Sequence, residues 1–232
     1  MAQRKTATEL ARIQKACRIT DAIFSTIVSG LQRKKWKTER ELYAFIKTEI
    51  KKRKLKPSFD PIVVSGPHAG NEIHPKVTDA PLQGFLILDF GVIYQGQMSD
   101  MTRTVYIGLP SSKERSLYAL LLRAQTESMQ LLFPGGKCFM ADLYARSILG
   151  KYQKYFIHTL GHGVGSRIHE APRVFFKRTR PYVYENMAVT VEPGIYIKNK
   201  LGMRIEDTCA ITRNGPVPLT RSSKELLVFP KP

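Results

Sequence analysis

The sequence predicts an α+β fold. Two amphipathic helical segments precede a group of acid-bearing, strand-like runs, and the same order returns in the second half of the chain. The echo is one of pattern, not of sequence identity. No linker-like or low-complexity stretch divides the 232 residues, so residues 1–232 read as one domain, long enough for a core of its own.

The elements follow in chain order. From Thr8 to Leu31 apolar side chains recur at Leu10, Ile13, Cys17, Phe24, Ile27 and Leu31, the spacing of one helical face. A second helix begins near Glu39, with Leu42, Phe45, Ile46 and Ile50 on one stripe, and ends in a basic run. PSFDPIVVSGP then reads as a loop, a short β-rich run and a Gly-Pro turn. Gly84–Gln95 and Thr102–Ile107 are strand-like, with Gly96 and Ser99-Asp100 between them. PSSKERSLYALLLRAQTESMQLL opens on a Pro-Ser-Ser cap signal and continues as a long helix, broken by PGG. A shorter helix is expected around Met140–Leu149, and β pattern from Tyr155 onward, clearest at Ala188–Ile197 and Met203–Thr212.

Composition narrows the function classes. At 43% hydrophobic and 24% charged residues the chain is globular in character. No apolar run approaches the roughly 20 residues of a membrane span, and the N-terminus lacks a signal-peptide apolar core. Cys17, Cys138 and Cys209 lie far apart without a CxxC pair, which argues against a disulfide framework or structural zinc and for a cytoplasmic setting. The bulk charge is +18, from 37 Lys and Arg against 19 Asp and Glu, much of it in Arg33–Lys37 and Lys47–Lys56. Such charge attracts polyanions in a salt-sensitive way. A nucleic-acid partner is nevertheless not favoured, because no aromatic-interleaved binding motif accompanies the charge.

The chemistry concentrates at acids set in apolar runs. Asp89 lies in FLILDFGVIY, Glu192 in AVTVEPGIYI and Glu206 in GMRIEDTCAI. An unpaired buried carboxylate is expensive, and three apolar strands each interrupted by an acid are hard to explain as three separate salt bridges. Asp100 follows Asp89 by eleven residues, close enough for a hairpin to join them. The bland alternative is an Asp satisfied by backbone donors or by the nearby Arg103. His162 sits between glycines in LGHGVG, where the backbone can approach a ligand. GHGVG lacks the spacing and the following Lys-Ser/Thr of a phosphate loop, and neither GxSxG nor a reactive-cysteine phrase occurs. Four carboxylates and one imidazole could hold two divalent ions side by side, a device that activates water near neutral pH. Hard oxygen donors with one imidazole favour manganese, magnesium or iron, with zinc and cobalt as alternatives. His74, His158 and His169 have contexts suited to proton shuttling or to holding an oxyanion; His68 reads as a loop residue.

The phrases LDFG…SDMTRT, HTLGHGVG…IHEAP, VTVEPGIYI and GMRIEDT resemble those of the methionine aminopeptidase / proline dipeptidase family, from about Glu9 to Phe229. The resemblance implies the pita-bread fold, a pseudo-two-fold catalytic domain with a curved antiparallel sheet flanked by helices. It implies two divalent ions, manganese first and cobalt or zinc as alternatives. Asp89 would chelate one ion, Asp100 and Glu206 would bridge both, and His162 and Glu192 would complete the other. Glu192 would also accept the proton of the attacking water, His169 would hold the tetrahedral intermediate, and His74 would bind substrate and shuttle protons.

SDMTRT with Arg103, HTLGHGVG with His158 and RIED with Arg204 are similar to the Xaa-Pro-cleaving branch, with His158 and Arg204 as substrate contacts. The implied activity is removal of the N-terminal residue from peptides, preferably before proline. A methionine or relaxed aminopeptidase, and a non-catalytic module binding nucleic acid or protein, stand as alternatives. NEIHP is similar to the methionine aminopeptidase phrase, and Ile73 before His74 departs from the proline-specific pattern. Xaa-Pro peptidases usually carry an N-terminal domain, and the chain is expected to lack it, which leaves a homodimer open.

Overall fold

The structure, a computed structural model, describes residues 4–174, 177 and 181–232. In the first half α1 (Ala7–Gln32) and α2 (Glu39–Lys52) precede β1 (Lys56–Pro57), β2 (Ile62–Ser65), β3 (Gly84–Asp89), β4 (Val92–Tyr94), β5 (Gln97–Met98) and β6 (Thr102–Ile107). The second half repeats the order. There α3 (Ser112–Met129) and α4 (Cys138–Leu149) precede β7 (Gly161–Gly163), β8 (Glu170–Val174), β9 (Ala188–Val191), β10 (Gly194–Ile197), β11 (Leu201–Arg204), β12 (Asp207–Thr212), β13 (Gly215–Pro218) and β14 (Val228–Phe229). Among the described residues no helix is long and apolar enough to cross a membrane.

Side-chain chemistry sets the helix starts. Thr6, Thr38 and Ser111 each accept a backbone bond from the Glu three residues on, and that Glu bonds back to the cap, a complete capping box at α1, α2 and α3. Helix α4 has no side-chain cap; the Cys138 N–H donates to the Pro181 carbonyl at 3.0 Å instead.

Two sheets carry the fold. One runs β14-β6-β3-β2, antiparallel except for the parallel β14–β6 pair, and the other runs β13-β12-β9-β7-β8, antiparallel throughout. The apolar stripe of α1 and α2 (Phe24, Ile27, Leu42, Ile46) packs with Leu86, Leu88 and Val105 of the first sheet. That of α3 and α4 (Leu117, Leu121, Ala141, Leu149) packs with Val189, Val191, Cys209 and Ile211 of the second. Side chains alternate across a strand. Ile87 and Asp89 therefore face away from α1 and α2, and Thr190 and Thr208 away from α3 and α4.

Three runs that read as continuous strands are each broken at or beside an acid. Gly84–Gln95 divides after Asp89, Ala188–Ile197 at Glu192-Pro193, and Met203–Thr212 at Ile205-Glu206. At each break the chain changes sheets: β10 and β11 form a separate ribbon, while β9 and β12 belong to the five-stranded sheet. Pro193 offers no N–H to continue a ladder, and the Glu206 N–H turns to the Thr102 carbonyl at 3.0 Å. Gly91 allows the first break to close, since a Cβ there would lie 1.9 Å from the Ser99 carbonyl oxygen. His68, expected in a loop, sits in a short 3-10 turn over Gly66–Gly70. Cys17, Cys138 and Cys209 are buried and free.

Candidate metal centre

The strand breaks direct their acids into one cavity of about 730 Å³. Its walls hold all nine residues singled out in the sequence: His74, Asp89, Asp100, His158, His162, His169, Glu192, Arg204 and Glu206. Ligand atoms of Asp100, His162 and Glu206 lie within 4.8 Å of one another, and all three residues are buried. His162 Nε2 lies 3.2 Å from Glu192 Oε1 and 3.6 Å from Asp100 Oδ2.

Neighbouring threonines aim these groups. The Thr190 hydroxyl donates to Glu192 Oε1 at 3.1 Å and accepts the His162 N–H at 3.1 Å. The Thr102 hydroxyl donates to Glu206 Oε2 at 2.8 Å. Arg204, 1% exposed, donates to Asp89, to the Thr102 hydroxyl at 3.0 Å and to the Tyr196 hydroxyl at 2.6 Å. Tyr196 in turn meets His158 Nε2 at 3.1 Å. None of Thr102, Thr190 and Tyr196 was singled out by sequence, although each lies in or beside a quoted phrase. A hydroxyl or phenol at the right parity beside an acid was the only available signal.

Arg103, the sequence candidate for satisfying a buried Asp here, serves elsewhere. In the β3–β6 register Asp89 faces Thr102, whereas Arg103 faces Leu88 and is on the opposite side. Its guanidinium pairs with Asp207 at 2.7 Å. Arg204 is the arginine that pairs with Asp89.

The electrostatics fit a cation. Asp89 Oδ1 and Glu206 Oε1 are buried and have no hydrogen-bond partner among the described residues. A buried acceptor left unmatched costs about 1–3 kcal/mol, and such an orphan calls for a specific explanation. Burial pushes the Asp100 and Glu206 carboxyls well above the ordinary carboxylate range, helped by the repulsion of Asp89 on Asp100 and of Asp100 on Glu206. Asp89 is also raised by burial, against the pull of Arg204. Burial disfavours charge on Glu192 and His162 too, but their mutual hydrogen bond prevails, holding Glu192 down to about 2 and His162 up to about 9. Burial lowers His158 to about 4, and burial with the adjacent His162 lowers His169 to about 4, so both are neutral near pH 7. The His169 ring meets that of His162 edge-on at 4.4 Å between centroids. Clustered hard oxygen donors, one imidazole and two orphaned oxygens make a site that a divalent cation would complete.

A pita-bread fold closed around carboxylates and a histidine defines a class of metallopeptidases. Residues 11–213 match metallopeptidase family M24, and the chain belongs to that family. It is 38% identical over 228 residues to the Xaa-Pro dipeptidase of Pyrococcus furiosus, an alignment covering 96% of this chain and 64% of that protein. Among solved structures, a recombinant prolidase from Thermococcus sibiricus superposes with a TM-score of 0.92 at 35% identity, over 98% of this chain and 63% of the other. An X-Pro aminopeptidase from Thermotoga maritima gives 0.91 at 31% identity, over 99% and 65%. The chain thus spans a little under two thirds of the length of these relatives.

Proposed function

We propose that the chain is the catalytic domain of a dinuclear-metal exopeptidase that removes the N-terminal residue from peptides, preferably at Xaa-Pro bonds. One observation carries this reading: five candidate ligands from four strand junctions and one glycine-flanked strand meet in a single cavity, with two carboxylate oxygens left unpartnered among the described residues. In this reading Asp89, Asp100, His162, Glu192 and Glu206 hold two divalent ions, manganese first and cobalt or zinc as alternatives. Bound there, such ions supply Lewis acidity, lowering the pKa of water and polarising the scissile carbonyl.

The chain's own residues do the rest. Glu192, ionised through its contact with His162, takes the proton of the attacking water at its carboxylate. His169, neutral and on the cavity wall, donates a hydrogen bond to the oxyanion that develops. His74 lines the same cavity, binds the substrate near the scissile bond and relays protons. Arg204 holds Asp89 with one arm and Tyr196 with the other, and Tyr196 orients His158. His158 and Arg204 thereby shape the substrate side of the cavity. Three buried free cysteines suit a reducing cytoplasm.

The test is metal-reconstituted hydrolysis of Xaa-Pro dipeptides, longer Xaa-Pro peptides and Met-initiated peptides. Metal-dependent release of the first residue from Xaa-Pro substrates is expected. Turnover of Met-initiated peptides alone would move the chain to the methionine aminopeptidase reading. No turnover with any metal, or full turnover after chelation, would overturn the mechanism.

A further inference from the structure

His169 has an unusual mechanical position. It is exposed at the cavity wall, and among the described residues its imidazole makes no hydrogen bond, only the edge contact with His162. Its placement must therefore come from its backbone. The next residue, Glu170, begins β8 opposite Gly163 and is buried. Glu170 Oε1 accepts the Arg167 N–H at 3.0 Å and the Ser166 hydroxyl at 3.2 Å, which folds the segment before His169 around one carboxylate. Its other oxygen is bonded by the ammonium of Lys5, a residue 165 positions away on the arm preceding α1. Both side chains are almost wholly buried, at 2% and 3% exposure. The Lys5 N–H is fastened separately, to the Asn186 carbonyl at 2.6 Å. Gly165 clears the way: a Cβ there would lie 2.3 Å from Lys5 Nζ and 2.8 Å from Glu170 Oε1.

We propose that Lys5 is a positioning residue for His169, acting through a buried ion pair with Glu170 that fastens the Ser166–Glu170 segment to the N-terminal arm. The inference rests on the peptidase reading above for its kinetic consequence, but not for its structural one. Lys5 is absent from the cavity wall and touches neither substrate nor candidate ligands. A lysine carries the long reach and the charge this place needs, and a buried carboxylate left without its cation is poorly tolerated. Misplacing an oxyanion donor by about 1 Å can lower turnover by roughly a hundred-fold.

The experiment compares wild type, Lys5→Met and Lys5→Arg for kcat and KM on an Xaa-Pro dipeptide with metal. In parallel, the His169 ring resonances are followed by NMR, assigned by their loss in His169→Gln. Lys5→Met is expected to lower kcat roughly 10- to 100-fold, leave KM within about three-fold, and shift or broaden the His169 signals. Lys5→Arg should recover part of kcat. A folded Lys5→Met with wild-type kcat and unmoved His169 resonances overturns the proposal. If Lys5→Met does not fold, Glu170→Gln keeps an acceptor for the ammonium while removing the carboxylate charge, and the same two outcomes decide. If wild type is itself inactive on every substrate, the peptidase reading fails, and the NMR comparison alone judges the anchor.

Discussion

Glu206 and Asp207 are consecutive residues at one strand junction, both about 1% exposed, in opposite electrostatic settings. On the cavity side Glu206 has one oxygen bonded by Thr102 and the other orphaned, and burial with the repulsion of Asp100 raises its pKa well above the ordinary range. On the other side Asp207 is saturated: Arg103 and Lys224 at 2.7 Å, Thr220 at 2.8 Å and Gln125 at 3.1 Å all donate to it. Burial pushes Asp207 up as well, but the two cations overcome it and hold the carboxyl below its usual range. A carboxylate that serves the fold is supplied with every partner it can use. The one proposed to serve a metal is left wanting, and the same backbone presents both.

The largest effect separates the two in activity. Glu206→Gln is expected to reduce metal-dependent Xaa-Pro hydrolysis by more than about a thousand-fold. Asp207→Asn, assayed at 25 °C where it stays folded, should remain within about ten-fold of wild type. Equal losses in the two variants would dissolve the distinction.

Stability should reverse the order. Asp207→Asn leaves Arg103 and Lys224 without their shared anion, and breaking a buried pair typically costs about 3–5 kcal/mol, or a melting-temperature drop on the order of 10 °C at this chain length. Glu206→Gln removes a repelled charge, so calorimetry in chelator should find it as stable as wild type or more so. A Glu206→Gln protein that melts as early as Asp207→Asn would contradict the orphaned-oxygen account.

On the proposed reading, metal supplies what the cavity side lacks. Manganese at about a hundred-fold over its Kd should stabilise wild type by about 2.7 kcal/mol, a shift of several degrees that chelator reverses. Asp100→Ala and Glu206→Gln should lose this gain, and Asp207→Asn should keep it. A metal-induced shift of the same size in all four proteins would place binding elsewhere.

Sequence made the cavity side legible and most of the opposite side not. An acid in an apolar strand is conspicuous, which is why Asp89, Glu192 and Glu206 stood out, and glycines on both sides marked His162. Their convergence follows from strand breaks that apolar composition hides. FLILDFGVIY reads as one strand because nothing in it except Gly91 signals that the chain changes sheets after Asp89. Arg103 is near Asp89 in the chain but not beside it in space: the β3–β6 register sets Asp89 opposite Thr102 and Arg103 opposite Leu88, and nothing in the sequence between the two strands reveals that register. The Lys5–Glu170 pair spans 165 residues, and no local pattern encodes such a contact. Helix starts, by contrast, are local chemistry, and the cap signal at PSSKE is a capping box in the structure.

That local chemistry provides the mildest test of the comparison, at a satisfied carboxylate far from any metal. Glu114 accepts the Ser111 N–H at 2.8 Å, the Ser111 hydroxyl at 2.6 Å and the Tyr106 hydroxyl at 2.8 Å. Partial burial pushes its pKa up, but these donors hold it below the usual glutamate range. The same carboxylate, after burial, helps push Tyr106 up to about 12. A carboxyl lowered in the folded state contributes stability above its unfolded pKa, near 4.3, and loses that contribution as pH falls through the folded value. Glu114→Gln should therefore cost about 0.5–1 kcal/mol at pH 7, a melting shift of roughly 1–4 °C. The gap between wild type and variant should close as pH is lowered from about 5 to 3. A gap constant across that range would mean that Glu114 acts through hydrogen-bond geometry and not through charge. The saturated carboxylates would then owe less to ionisation than the contrast between Glu206 and Asp207 requires.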